Sequence, residues 1–96
     1  MIIAVSGEFG DDLAAFVYFR IERERILERE KVNTPPGGKD ALIKQLLGLN
    51  IDLLISGKIP PELETGLNEA GISVISGIND NCDAVIKAYM DGTLDF

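Results

Sequence analysis

Ile51-Asp52-Leu53-Leu54-Ile55-Ser56-Gly57-Lys58-Ile59-Pro60-Pro61 decides the fold. Its first half is a short apolar run that stops at Ser-Gly, the pattern of a strand buried on both faces. Pro60-Pro61 then opens a helix, with proline at its preferred first position. Leu63, Leu67 and Ala70 line one face of that helix and Gly71 stops it. Ile72 to Ser76 is a further buried strand, ending at Gly77. Upstream, a helix is predicted from about Lys39 to Leu47, with Leu42, Ile43, Leu46 and Leu47 as its buried stripe and Gly48 as its C-terminal cap. Downstream, Asn79 or Asp80 caps a last helix. Its apolar face carries Cys82, Val85, Ile86 and Tyr89, and Gly92 ends it.

The first half of the chain reads differently. Ile2 to Ser6 is a short apolar strand ending at Gly7, followed by a loop through Asp12. Phe16 to Glu22 is rich in β-formers, with Val17, Phe19 and Ile21 on one face and Phe16 and Tyr18 on the other. Ile26 to Val32 follows a charged turn near Arg23-Glu24-Arg25, which makes the pair a β-hairpin. A continuous charged helix from Phe19 to Lys31 competes, because Glu, Arg and Leu favour helix. The aromatic and β-branched start favours the hairpin. Thr34-Pro35-Pro36-Gly37-Gly38 closes it with a loop. Parallel β-α-β units take right-handed crossovers. The expected product is an α/β domain over residues 1–96 with topology β-β-β-α-β-α-β-α. Its mixed five-stranded sheet has strand order 3-2-1-4-5, and only strand two is antiparallel.

Composition narrows the function. The hydrophobic fraction of 46% supports a core without disulfides, and a single cysteine, Cys82, forbids an internal one. No apolar run approaches the roughly 20 residues needed to span a membrane. No basic leader precedes the first strand. The expected setting is cytoplasmic. A net charge of −7 makes nucleic acid and anionic membranes poor partners. The basic cluster Arg20, Arg23, Arg25, Arg29 and Lys31 is interleaved with Glu22, Glu24, Glu28 and Glu30, which reads as charge pairing across strands. There is no histidine, which removes Ser-His-Asp and Cys-His chemistry from this chain.

Three strands end in Ser6-Gly7, Ser56-Gly57 and Ser76-Gly77. In open α/β sheets ligands bind beyond the C-terminal ends of the parallel strands, where glycine permits close approach and helix N-termini face the crevice. Tight strand-to-helix turns need glycine in any case. Gly37-Gly38-Lys39 is the best anion cradle, without Walker A spacing, and Lys58 adds a second positive charge. Asp80, Asp83, Glu62 and Glu64 read as helix-capping carboxylates, with a hard cation such as Mg²⁺ as the alternative. Cys82 reads as a core residue, or else as a thiolate at a helix N-terminus.

Several segments together resemble the dinitrogenase iron–molybdenum cofactor family. They are Ile3-Ala4-Val5-Ser6, Tyr18-Phe19-Arg20-Ile21, Gly37-Gly38-Lys39, Ile51 to Pro60, Leu67 to Val74, and Ala84 to Gly92. The resemblance implies a ribonuclease-H-like three-layer fold and a small non-enzymatic domain that carries or helps assemble a metal cluster. It implies an iron–molybdenum or molybdenum–copper sulfide cluster as cofactor and cofactor-assembly proteins as partners, with the domain a monomer or homodimer. Family members often carry His-Phe-Gly-Arg between the first two strands. This chain keeps Phe9-Gly10, flanked by Glu8 and Asp11.

The expected ligand-binding set is therefore Ser6, Gly7, Phe9, Gly10, Gly37, Gly38, Lys39, Ser56, Gly57, Lys58, Ser76 and Gly77, with no catalytic residue. A protein–protein interaction module that has lost cofactor binding is the alternative, motivated by the missing histidine and acidic first loop. A Mg²⁺-dependent hydrolase rests on clustered carboxylates and fold analogy alone.

Overall fold

A computed structural model describes residues 1–7, 15–34 and 37–92. Strands β1 (Ile2–Val5), β2 (Ala15–Glu22) and β3 (Arg25–Asn33) precede helix α1 (Gly38–Gly48). Then follow β4 (Leu53–Ile55), α2 (Pro61–Glu69), β5 (Ser73–Ile75) and α3 (Cys82–Asp91). The sheet order is β3-β2-β1-β4-β5, as expected. β2 is antiparallel to β1 and to β3, while β1, β4 and β5 run parallel. The C-terminal ends of β1, β3, β4 and β5 therefore share one end of the sheet, called here the upper end. All three helices start there.

Strand alternation sorts the core into two layers. Ala4, Phe16 and Leu54 meet Leu42 and Leu46 of α1 and Leu63 and Leu67 of α2 on one face. Ile3, Val5, Val17, Phe19, Leu53 and Ile55 meet Cys82, Val85 and Ile86 of α3 on the other. Each fully buried Leu, Ile or Phe contributes about 1.5–3 kcal/mol of transfer free energy, so the two layers supply the driving force for the fold. Cys82 is a core residue, and its Sγ donates to Val5 O at 3.3 Å.

The hairpin is present, and its turn is Arg23-Glu24, both with positive φ (51° and 64°). These are the signs of the primed turns that match strand twist, here made without glycine. A bulge follows Arg20, where the register with β3 shifts. Charge pairing across the strands is only part of the story. Arg20 faces Glu28 and Glu22 faces Arg25, but Arg29 faces Phe19. Its guanidinium lies over that ring and reaches Asp83 of α3 through Nε (2.7 Å) and Nη2 (3.1 Å). Asp83 is thus an ion-pair partner and not a cap.

Helix ends depart from expectation in instructive ways. Gly48 is the last helical residue of α1, and the left-handed position falls to Asn50 (φ 59°). Asn50 N donates to Leu47 O and Ile51 N to Leu46 O, the paired bonds of a Schellman motif. α2 ends the same way: Gly71 N donates to Asn68 O and Ile72 N to Leu67 O. In both, the residue after the left-handed position and the residue whose carbonyl it bonds belong to the same core layer, Ile51 with Leu46 and Ile72 with Leu67. Ile72 thus serves the helix end, and the strand after it is shorter than expected. β5 is an outer strand, with Ser73 exposed and Val74 and Ile75 half-buried, because it has a neighbour on one side only. Leu47, expected in the buried stripe, is 45% exposed, whereas Ile59 in the β4–α2 loop is buried. α3 is capped by Asn81, whose side chain accepts from Asp83 N and Ala84 N. Asn79 does not cap it, and Asp80 Oδ1 accepts from Asn81 N instead.

Candidate functional site

The site is built where the three parallel strands stop. Ser6 N donates to Ile55 O (2.9 Å) and Ser56 N to Ile75 O (2.8 Å), so both serines extend the ladder one residue past their strands. Ser6, Gly7, Ser56 and Gly57 are all buried. The segment after β5 then folds back across β4: Ile78 N donates to Ser56 O (3.0 Å) and Gly77 N to Gly57 O (3.1 Å). It continues as far as β1, because a Cβ on Gly7 would overlap the carbonyl oxygen of Ile78. Only glycine fits at position 7, and the reason is a backbone carbonyl more than seventy residues away in sequence. Ser76 and Gly77 are exposed, with Gly77 in the left-handed region (φ 86°).

Alternation places Ser6 with Ala4, and Ser56 with Leu54, on the face covered by α1 and α2. The two hydroxyls differ. Ser56 Oγ donates to Gly57 O at 3.2 Å. Ser6 Oγ is fully buried and has no hydrogen-bond partner among the described residues.

The helix starts add donors to this end. α1 begins at Gly37 (φ 115°) and Gly38 (φ 76°), with no side chain capping its first N–H groups. α2 begins at Pro60-Pro61, also without a side-chain cap, but the two prolines carry no N–H and Leu63 N and Glu64 N both donate to Pro60 O, so this start has few donors to offer. Glu62 and Glu64 sit in its first turn, as expected, but they act on the helix dipole and not as hydrogen-bonding caps. Lys39 lines a cleft of about 390 Å³ between α1 and α2, together with Pro61, Glu62, Thr65, Gly66 and Glu69. Its charge therefore stands beside two carboxylates. Lys58 lines a smaller hollow of about 240 Å³ with Ile59, Pro60 and Pro61.

The expected set is thus divided. Ser6, Gly7, Ser56 and Gly57 come together in the interior of the upper end, with Gly77 hydrogen-bonded onto them. Gly37 and Gly38 open α1 at the same end of the sheet, and Lys39 and Lys58 occupy exposed clefts. Phe9 and Gly10 lie outside the described residues, as do Glu8 and Asp11. Sequence reasoning missed Ile78, whose contribution is a backbone carbonyl. It also missed Asn81, which stands in a run, Asn79-Asp80-Asn81, of three residues that all cap well.

Among the described residues, no three His, Cys, Asp or Glu side chains are grouped to hold a metal ion. What the upper end offers is hydrogen-bond donors. A sequence profile described as "Dinitrogenase iron-molybdenum cofactor" matches residues 3–92. The chain belongs to that family. Its fold is shared with the crystal structure of PH0822, at 26% identity and a TM-score of 0.85, covering 100% of this chain and 96% of that one. It is also similar to the apo form of the orange protein from Desulfovibrio gigas (21% identity, TM-score 0.75, 99% and 91% covered). A third likeness is to a putative NifB protein from Thermotoga (18% identity, TM-score 0.70, 98% and 90% covered). No curated protein sequence matches the chain.

Within the iron–molybdenum cofactor family, this member presents a hydrogen-bonding end and no histidine. No described helix is long and apolar enough to cross a membrane.

Proposed function

We propose that this domain is a non-enzymatic carrier or assembly domain that holds a preformed anionic metal–sulfide cluster, or a comparably small anion, at the upper end of its sheet. The observation that carries the reading is the hydrogen-bonding capacity gathered there: the start of α1, with no side chain capping its N–H groups, and the buried Ser6 hydroxyl. Helix N-termini and oriented backbone N–H groups favour negative charge. Cys82 is spent on Val5 O inside the core, so the cluster would arrive with its coordination shell complete and be held by outer contacts. An iron–molybdenum or molybdenum–copper sulfide cluster fits this description and the family. The partners are then the proteins that hand the cluster over and receive it, in the cytoplasm.

Anaerobic titration of the protein with each cluster, followed by amide shifts, tests the reading. Shifts are expected at Gly7, Gly38, Gly57 and Gly77. Unmoved amides at all four positions with both clusters would overturn it.

A protein–protein interaction module is the second reading, favoured by β3. This nine-residue strand is the outer edge of the sheet and is exposed over nearly its whole length. A partner captured by wild type but lost on Leu27→Arg, in a protein that takes up no cluster, would favour that reading. The carboxylates give a hydrolase little support, because Asp83 is engaged by Arg29 and Asp80 by the start of α3.

A further inference from the structure

The following rests on the anion-holding reading and concerns the residue at its centre. A buried hydroxyl without a partner is rare in folded proteins, because nothing replaces its lost bonds to water. Among the described residues, Ser6 Oγ is such a group, with 0% exposure. Ser56 is the internal control: one strand over, on the same face, equally buried, but with its hydroxyl bonded to Gly57 O. Among the described residues, the other buried side-chain N or O atom lacking a partner, Gln45 Oε1, belongs to an amide already tied through Nε2 to Asn33 O. The orphan hydroxyl thus coincides with the strand end on which Gly7 and Ile78 close, on the face of the sheet where α1 begins with no side chain on its N–H groups.

We infer that Ser6 donates its hydroxyl proton to the bound ligand. The ligand is a compact anion whose outer oxygen or sulfide atoms accept hydrogen bonds. A neutral hydroxyl donor suits such a surface and makes a poor ligand for an exposed metal centre. The hydroxyl is left unsatisfied in the free protein, and the ligand relieves it. Ser6 therefore destabilises the empty domain and strengthens binding, and these two effects separate in one substitution.

The experiment compares wild type, Ser6→Ala, Ser6→Thr and Ser56→Ala as full chains. Each is melted without ligand, then titrated anaerobically with molybdate and with tetrathiomolybdate, by calorimetry and amide shifts. Ser6→Ala is expected to raise the melting temperature of the empty protein by about 4 °C or more. The same variant is expected to bind at least one probe roughly tenfold more weakly, the loss of one hydrogen bond to a charged group. Ser6→Thr keeps the hydroxyl and binds within about threefold of wild type, and the Gly7 amide of wild type shifts on binding. Ser56→Ala gains no stability, because its hydroxyl is already bonded. Equal binding by Ser6→Ala and wild type overturns the inference and leaves the carrier reading standing. A lowered melting temperature for Ser6→Ala also overturns it, since the hydroxyl then has a partner in the free protein. If neither probe binds wild type, the inference fails for these anions, and the cluster titration above decides the carrier reading separately.

Discussion

The two ends of the sheet are built to opposite rules. At the lower end, backbone groups are closed off. α1 and α2 finish in Schellman motifs, Asp52 Oδ2 accepts from Ile2 N, and the terminal amine of Met1 donates to Ile21 O. At the upper end, α1 starts with no side chain on its N–H groups and Ser6 Oγ has no partner among the described residues. One end spends its hydrogen-bonding capacity on the fold and the other holds it in reserve. On the proposed reading, that difference is what marks the upper end for a ligand.

Substitutions at the two ends break or sharpen this contrast. The largest effect is expected at Gly7. Gly7→Ala drives a methyl into the Ile78 carbonyl, and backbone cannot move aside cheaply. A loss of about 3 kcal/mol or more in denaturant unfolding is expected, with loss of cluster-dependent amide shifts. An alanine tolerated at no cost would mean that the β5–α3 segment does not close on β1.

Gly71→Ala tests the lower end. There is open space for the methyl, but φ is +90°, so the expected loss is about 1–2 kcal/mol from backbone strain alone. Cluster binding should be untouched. A binding defect there would erase the distinction between the ends.

Asn81→Ala removes the one side-chain cap at the upper end. A loss of about 1 kcal/mol is expected. Pro60→Ala should cost distinctly less, since no cap is lost at α2.

The smallest effect concerns Tyr18, between the ends. Its hydroxyl donates to Glu30 Oε2 at 2.8 Å, which raises the phenol above its usual 10.0, with smaller contributions from burial and from the charges of Glu30 and Glu28. The hydrogen bond holds the neutral phenol. Its contribution is complete below the unfolded value and is lost as pH rises through the folded one. The phenolate absorbance difference between wild type and Tyr18→Phe should therefore have its midpoint above 10. A midpoint at or below 10 would show that the pair does not form in solution.

Much of this was legible in the residues, for identifiable reasons. β1 and β4 are buried on both faces, so their apolar runs stand out, and Pro61 marks the start of α2 unambiguously. Both β4 and β5 are shorter than their apolar runs, because Ile51 and Ile72 look like strand but close the preceding helices on Leu46 and Leu67. The left-handed residue after α1 was assigned to Gly48, since glycine is the commoner choice, yet Asn50 occupies it. At the site, the Ser-Gly pairs were visible as a pattern. That Ser6 differs from Ser56 was not, because partnership of a hydroxyl depends on backbone geometry that residue identity does not encode. Ile78 was invisible for the same reason, as any residue brings a carbonyl.

The outer strand β3 has a consequence for life in a crowded solution. A nine-residue strand at a sheet edge, exposed at all but Val32, forms a template on which further chains can zipper. Two copies meeting antiparallel about a twofold must match residues of like parity, so that both faces stay in step. Centred on Arg29, that sets arginine against arginine and Glu28 against Glu30 of the copy. Centred on Glu28 or Glu30, it sets two carboxylates on the axis. The alternating Glu28-Arg29-Glu30-Lys31 run repels its own image in each of these registers. Twofold self-pairing of this edge is thereby disfavoured, while a strand of different sequence meets no such repulsion.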